Sequence, residues 1–155
     1  MKEAFTHKSL LILGRGIGQV MFQNNALSGL LMLIGIFLNS WQMGLLAVSG
    51  NIISTSTGRI SGYDRDDIKN GLYGFNGTLV GIAVGGFMHL TVNSLILMAI
   101  ASCASTYIAR FFNMQRMLPG FTTLFILSVW MLLGLCSWLM PDMLLVSDTE
   151  TPASS

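Results

Sequence analysis

The stretch NGLYGFNGTLVGIAVGGF, Asn70 to Phe87, sets two asparagines, a threonine and six glycines among some of the most apolar residues of the chain. Glycine weakens a soluble helix or strand, and a buried amide needs a partner. In a membrane helix the same residues have uses: glycines let backbones approach closely, and amides supply hydrogen bonds where water is absent. Gly77, Gly81 and Gly85 recur every fourth residue and predict a small-residue stripe for helix packing. Gly71 and Gly74 are expected in a tightly turned or unwound entry to that helix.

Composition agrees with a membrane solvent. Of 155 residues, 52% are hydrophobic and 10% charged, against about a quarter charged in soluble domains. The formal net charge of +1 implies no bulk attraction to nucleic acid. Cys103 and Cys136 lie in apolar runs and read as small hydrophobes. Lys2 and Lys8 ahead of SLLILG imitate a signal peptide, but Arg15 interrupts the run and no small-residue cleavage site follows, so the chain is expected to begin in its mature form.

A crossing helix needs about 17 to 25 apolar residues. Five stretches approach that length: residues 26–39, 41–58, 71–89, 91–112 and 121–140. Residues 9–22 are apolar, too short to span and interrupted by Gly14, Gly16 and Gly18, the pattern of a half-spanning re-entrant helix. The fold class read here is therefore an all-α membrane protein: five transmembrane helices, one N-terminal re-entrant helix, a short N-terminus (1–8) and a polar, acidic tail (141–155). Charge position supports an odd span count. Lys2, Lys8 and Arg15 precede the first span, Arg59, Arg65 and Lys69 follow the second, and Arg110 and Arg116 follow the fourth. The links near Ser40 and Leu90 and the tail carry no Lys or Arg. The positive-inside rule then puts the N-terminus in the cytoplasm and the C-terminus outside.

No Asp, Glu, Lys or Arg falls inside the spans apart from boundary residues, whereas pumps and proton relays use intramembrane ionisable groups. The chain offers neutral groups instead, among them Gln19, Gln23, Asn24, Asn51, Ser54, Thr55, Asn76, Thr78, Ser102 and Thr106. A pathway built from them suits a small uncharged polar solute. The alternative for each Ser or Thr is a bond to a neighbouring helix or its own backbone. Asp64, Asp66 and Asp67 lack an EF-hand pattern, Asn76-Gly77-Thr78 is a sequon inside a span, and His7 and His89 lie far apart. With no acid, base or metal cluster at membrane depth, no enzyme, cofactor or metal is expected.

Three segments carry a family resemblance. RGIGQVMFQNNALSGLLMLIGIF (15–37) resembles the opening of the urea transporter family, DRDDIKNGLYGFNGTLVGIAVGGF (64–87) its Asn-Gly-x-Leu-Val-Gly motif, and MLPGFTTLFILSVW (117–130) its Leu-Pro-x-x-Thr element. The resemblance, to bacterial-type urea channels in particular, implies the first of two homologous, oppositely oriented halves, trimeric assembly in a bacterial inner membrane, and a pore in each subunit. The partners it implies are urea, the bilayer and a second inverted half, of which this sequence holds no copy of the motif. It further implies channel-like facilitated diffusion of urea through a narrow slot with apolar walls and acceptors along one edge. By the same resemblance Gln19 lies at the wide end of the half-helix, Phe22 in an aromatic clamp, Leu79 at an apolar constriction and Thr122 near the middle, with Phe75 and Asn76 in the signature helix. The competing expectation is a truncated, non-transporting remnant that serves as an assembly partner.

Overall fold

The computed structural model describes residues 2–21, 23–115 and 121–139. Phe22, the Arg116 loop and the tail from Pro141 lie outside the described residues, as does the side chain of Thr122. The helices in chain order are α1 (Lys2–Gly18), a single 3-10 turn (Gln19–Met21), α2 (Ala26–Asn39), α3 (Trp41–Ile60), α4 (Arg65–Lys69), α5 (Leu72–Phe87), α6 (Val92–Gln115) and α7 (Phe121–Leu139).

Local chemistry sets the boundaries. Asn25 starts α2 by accepting the Leu27 N–H at 2.9 Å, the usual N-cap bond. Ser40 is extended, closes α2 through its own N–H to the Ile36 carbonyl and opens α3 by accepting from Met43. One residue therefore makes the whole α2–α3 link. Asp64 caps α4 by accepting the N–H groups of Asp66 and Asp67, and those bonds hold its carboxyl below the usual carboxylate value. Thr91 and Ser94 exchange hydroxyl-to-backbone bonds at the start of α6, a reciprocal cap of the capping-box kind.

Helix α5 is the central element, packed on α3 most extensively and also on α1, α6 and α7. Its burial runs without break from Tyr73 to Thr78. The seam with α3 is made by backbone: a Cβ on Gly77 would overlap the Gly50 carbonyl oxygen, one on Gly50 the Gly77 carbonyl, and one on Gly81 the Leu46 carbonyl. The four-residue glycine stripe is thus the contact line with α3, and Gly85 continues it against Met43. Gly71 does form a turned entry, at φ 76°. Gly74 does not. It sits inside α5, where a Cβ would strike the Asn51 side chain; with Gly71 already reversing the chain, the helix is free to start at Leu72. Gly14 and Gly16 likewise do not break α1, which runs to Gly18, because both lie at crossings, Gly14 against Ala26 and Gly16 against Asn51 and Gly74.

The burial pattern is that of a membrane protein. Asn51, Ser54, Thr78, Ser94, Ser102 and Thr106 are wholly buried, while Leu31, Leu38, Ile100, Phe111, Trp130 and Trp138 are exposed. Polar side chains inside and large apolar ones outside reverse the order water imposes. Among the described residues, Val92–Phe111 is the segment long and apolar enough to cross a bilayer unaided. Helix α3 has 20 residues but spends its polarity on the interior. Helix α5, with 16 residues, is only about 24 Å long at 1.5 Å per residue, short of a hydrocarbon core of about 30 Å. Residues 7–21 and 26–39 form a pair bent by 74°.

Candidate functional site

The 3-10 turn after α1 is held against the chain entering α5. Arg15 donates from Nη1 to the Lys69 carbonyl at 3.2 Å, Gln19 from Nε2 to the Asn70 carbonyl at 3.2 Å, and Asn24 from Nδ2 to Asn70 Oδ1 at 3.1 Å. Glycine makes this approach possible, since a Cβ on Gly71 would overlap the Gly16 backbone. Gln19 therefore stands, half-buried, at the N-terminal end of the helix that carries Phe75, Asn76 and Leu79. Asn70 joins the three segments and was not singled out from sequence; the only sign of it there is the Asn-Gly pair, which marks a turn.

One turn into α5, Phe75 and Asn76 are 3% and 4% exposed, and Leu79 is half-buried one turn beyond Phe75 on the same face. The Asn76 amide donates weakly to the Leu72 carbonyl, at 3.5 Å. Its Oδ1 is buried and has no hydrogen-bond partner among the described residues. Such an acceptor is costly unless a donor comes to it. Three of the six residues implied by the resemblance thus share α5, and Gln19 caps that group. Thr122 lies in the first turn of α7.

Ser102 Oγ is likewise buried without a partner among the described residues, but several other neutral groups are engaged within the fold. Asn51 Nδ2 donates to Thr78 Oγ1 at 2.9 Å and to the Leu13 carbonyl at 3.1 Å, while its Oδ1 accepts from Thr55 at 3.2 Å. Ser54 and Thr106 hydroxyls meet at 2.6 Å, both also bonded to the Ser102 carbonyl. Thr57 bonds its own helix at Ile53 and contacts Cys103 Sγ at 3.3 Å. These groups join α1, α3, α5 and α6, and each already has a partner within the fold. Asn51, whose amide reads in the sequence as part of a pathway, is structural.

The family model for urea transporters matches residues 10–153. The chain belongs to the urea transporter family. Urea transporter 1 of Mus musculus is 40% identical over 75 residues, 48% of this chain and 20% of that protein. The Rattus norvegicus protein of the same name is 41% identical over 73 residues, 47% of this chain and 19% of its own length, and that of Ovis aries 43% over 68 residues, 44% and 18%. The matched part of this urea transporter chain thus spans about a fifth of these relatives.

Proposed function

We propose that this chain supplies one repeat of a urea pore, through which urea crosses the cell membrane by facilitated diffusion. The observation that carries the reading is the buried Asn76 Oδ1, without a hydrogen-bond partner among the described residues, on the helix that also carries Phe75 and Leu79. Urea is planar and uncharged and presents N–H donors along its edges, so a dry slot must return the hydrogen bonds it strips. A carbonyl acceptor on a helix that also carries a flat ring and an aliphatic side chain offers both. In the proposed pore Gln19 receives urea at the entry, Phe22 and Phe75 form its flat walls, Leu79 narrows it and Thr122 adds a hydroxyl, with a second, inverted repeat closing the slot and three such units assembling. Nothing ionisable is available at that depth to couple flux to a gradient.

The test is stopped-flow urea uptake into proteoliposomes carrying this chain together with an inverted second repeat. Asn76→Leu, nearly the same shape, should lower uptake roughly 5- to 150-fold, since an unmade bond to a desolvated group costs about 1–3 kcal/mol. Uptake should not change with sodium, pH gradient or membrane potential. Unchanged flux in the variant, or steep gradient dependence, would sink the reading. The chain alone should conduct no more than empty lipid, because its one-sided positive charge favours a single orientation; conduction by the chain alone would refute the two-repeat arrangement.

Orientation has its own test. With Cys103 and Cys136 replaced, a cysteine at Arg65 should react only from the cytoplasmic face and one at Leu90 only from outside. The reverse pattern would overturn the proposed topology.

A further inference from the structure

The positive side chains at one end of the bundle are not merely spread over its surface. Lys8 and Arg15 from α1, Arg59 from the end of α3 and Lys69 from α4 line a single cavity of about 340 Å³ together with Ser9, Leu11 and Ile12, with no carboxylate among the described residues of its wall. These four come from three separate segments brought together by the fold. Arg15 is fixed in place by its bond to the Lys69 carbonyl, and Lys69 pairs with Asp66 at 3.1 Å on the exposed side. The side chains of Lys8 and Arg59 have no hydrogen-bond or ion-pair partner among the described residues. A second cavity of about 220 Å³ adjoins the first, shares Ser9 and Arg59 with it, and runs between α1 and α3 past Leu13 and Ile52. Ile52 is 45% exposed, so this second space opens on the apolar outer surface.

We propose that this cavity is a binding site for a phosphate-bearing anion, a role separate from urea conduction. Clustered Lys and Arg with a hydroxyl donor match the charge and acceptor oxygens of phosphate, and basic pockets between membrane helices take anionic headgroups. The adjoining space, where Leu13 and Ile52 stand beside Thr55 and Ser56, gives a phospholipid somewhere to lay its glycerol and the start of an acyl chain, whereas inorganic phosphate would use the basic cavity alone. The site would tie α1 to the α3 and α4 ends, in addition to the direct bonds between α1 and the Lys69–Asn70 segment.

Native mass spectrometry of the purified chain, titrated with phosphatidylglycerol, phosphatidylcholine or inorganic phosphate, tests the site. One retained phosphatidylglycerol per chain, at least tenfold preferred over phosphatidylcholine and unmoved by millimolar phosphate, supports a lipid site; retained phosphate that the lipid does not exceed supports a free-phosphate site. In either case the double variant Lys8→Gln/Arg59→Gln should lose binding at least tenfold. Arg65→Gln removes a charge outside the cavity and should leave binding intact. No anion preference, or equal loss in Arg65→Gln, overturns the proposal in favour of general surface charge. Circular dichroism of both variants should match the parent, because neither Lys8 nor Arg59 holds the fold together; a misfolded double variant is replaced by Lys8→Gln alone, for which unaltered anion binding is the overturning result.

Discussion

Gly77→Leu should cost the chain its folded state. The Cβ alone would overlap the Gly50 carbonyl oxygen and lie 2.6 Å from Ser54 Cβ, and three further carbons would have to enter a seam where the nearest atoms are main chain and a Cβ, with no flexible side chain to swing aside. Overpacking a filled core by a few methylenes typically costs about 1–3 kcal/mol and sometimes more, and here the obstruction is main chain on both sides. The expected result is loss of the cooperative thermal transition of the detergent-solubilised protein, with α3 and α5 no longer paired. Gly134→Ala and Gly35→Ala are the comparison, since a Cβ there meets nothing within 4 Å; they should hold or raise stability, by up to about 1 kcal/mol from helix propensity. A Gly77→Leu protein that melts like its parent would show that α3 and α5 do not pack through their backbones.

Asn51→Leu should give the next largest loss. Asn51 is fully buried and joins three helices, giving both amide protons to Thr78 and Leu13 and taking one from Thr55. The leucine variant makes none of these bonds and leaves the Leu13 carbonyl and the Thr55 hydroxyl to find other partners. Interhelical hydrogen bonds in membranes average about 0.6 kcal/mol each, and stranding buried groups adds about 1–3 kcal/mol, so a fall of about 2–4 kcal/mol is expected in unfolding by a denaturing detergent. Thr78→Val should lower stability less, because it leaves the Asn51 bonds to Leu13 and Thr55 in place and, besides the Asn51 bond, removes only one within its own helix, to the Gly74 carbonyl. In a double-mutant cycle the two substitutions should be markedly non-additive. Additive losses would mean that the short Asn51–Thr78 distance contributes little.

How far the sequence discloses this molecule varies by residue. The packing role of Gly77 and Gly81 is readable because a four-residue spacing puts them on one helix face whatever lies opposite. The fate of Asn51 is not readable: a neutral amide at membrane depth serves a neighbouring helix or a passing solute equally well until its partners are known. Asn51 and Asn76 show the difference, one engaged by three contacts and the other with a buried acceptor that has no partner among the described residues. Gly14, Gly16 and Gly74 look like helix breaks because glycine is a poor helix former, but the need for clearance at a crossing outweighs propensity at all three. The basic cavity is hidden for another reason. Lys8, Arg15, Arg59 and Lys69 span more than sixty positions, and the positive-inside pattern accounts for each of them singly without bringing them together.

The contact between Gly50 and Gly77 also limits how this protein can change over generations. An oversized side chain in an ordinary core can be rescued by trimming the neighbour it strikes. At this seam the struck atom is a carbonyl oxygen, which every amino acid carries, so no substitution at position 50 makes room for a larger residue at 77. Second-site suppressors have nothing to remove there, and either position can recover only by returning to glycine or by moving a whole helix.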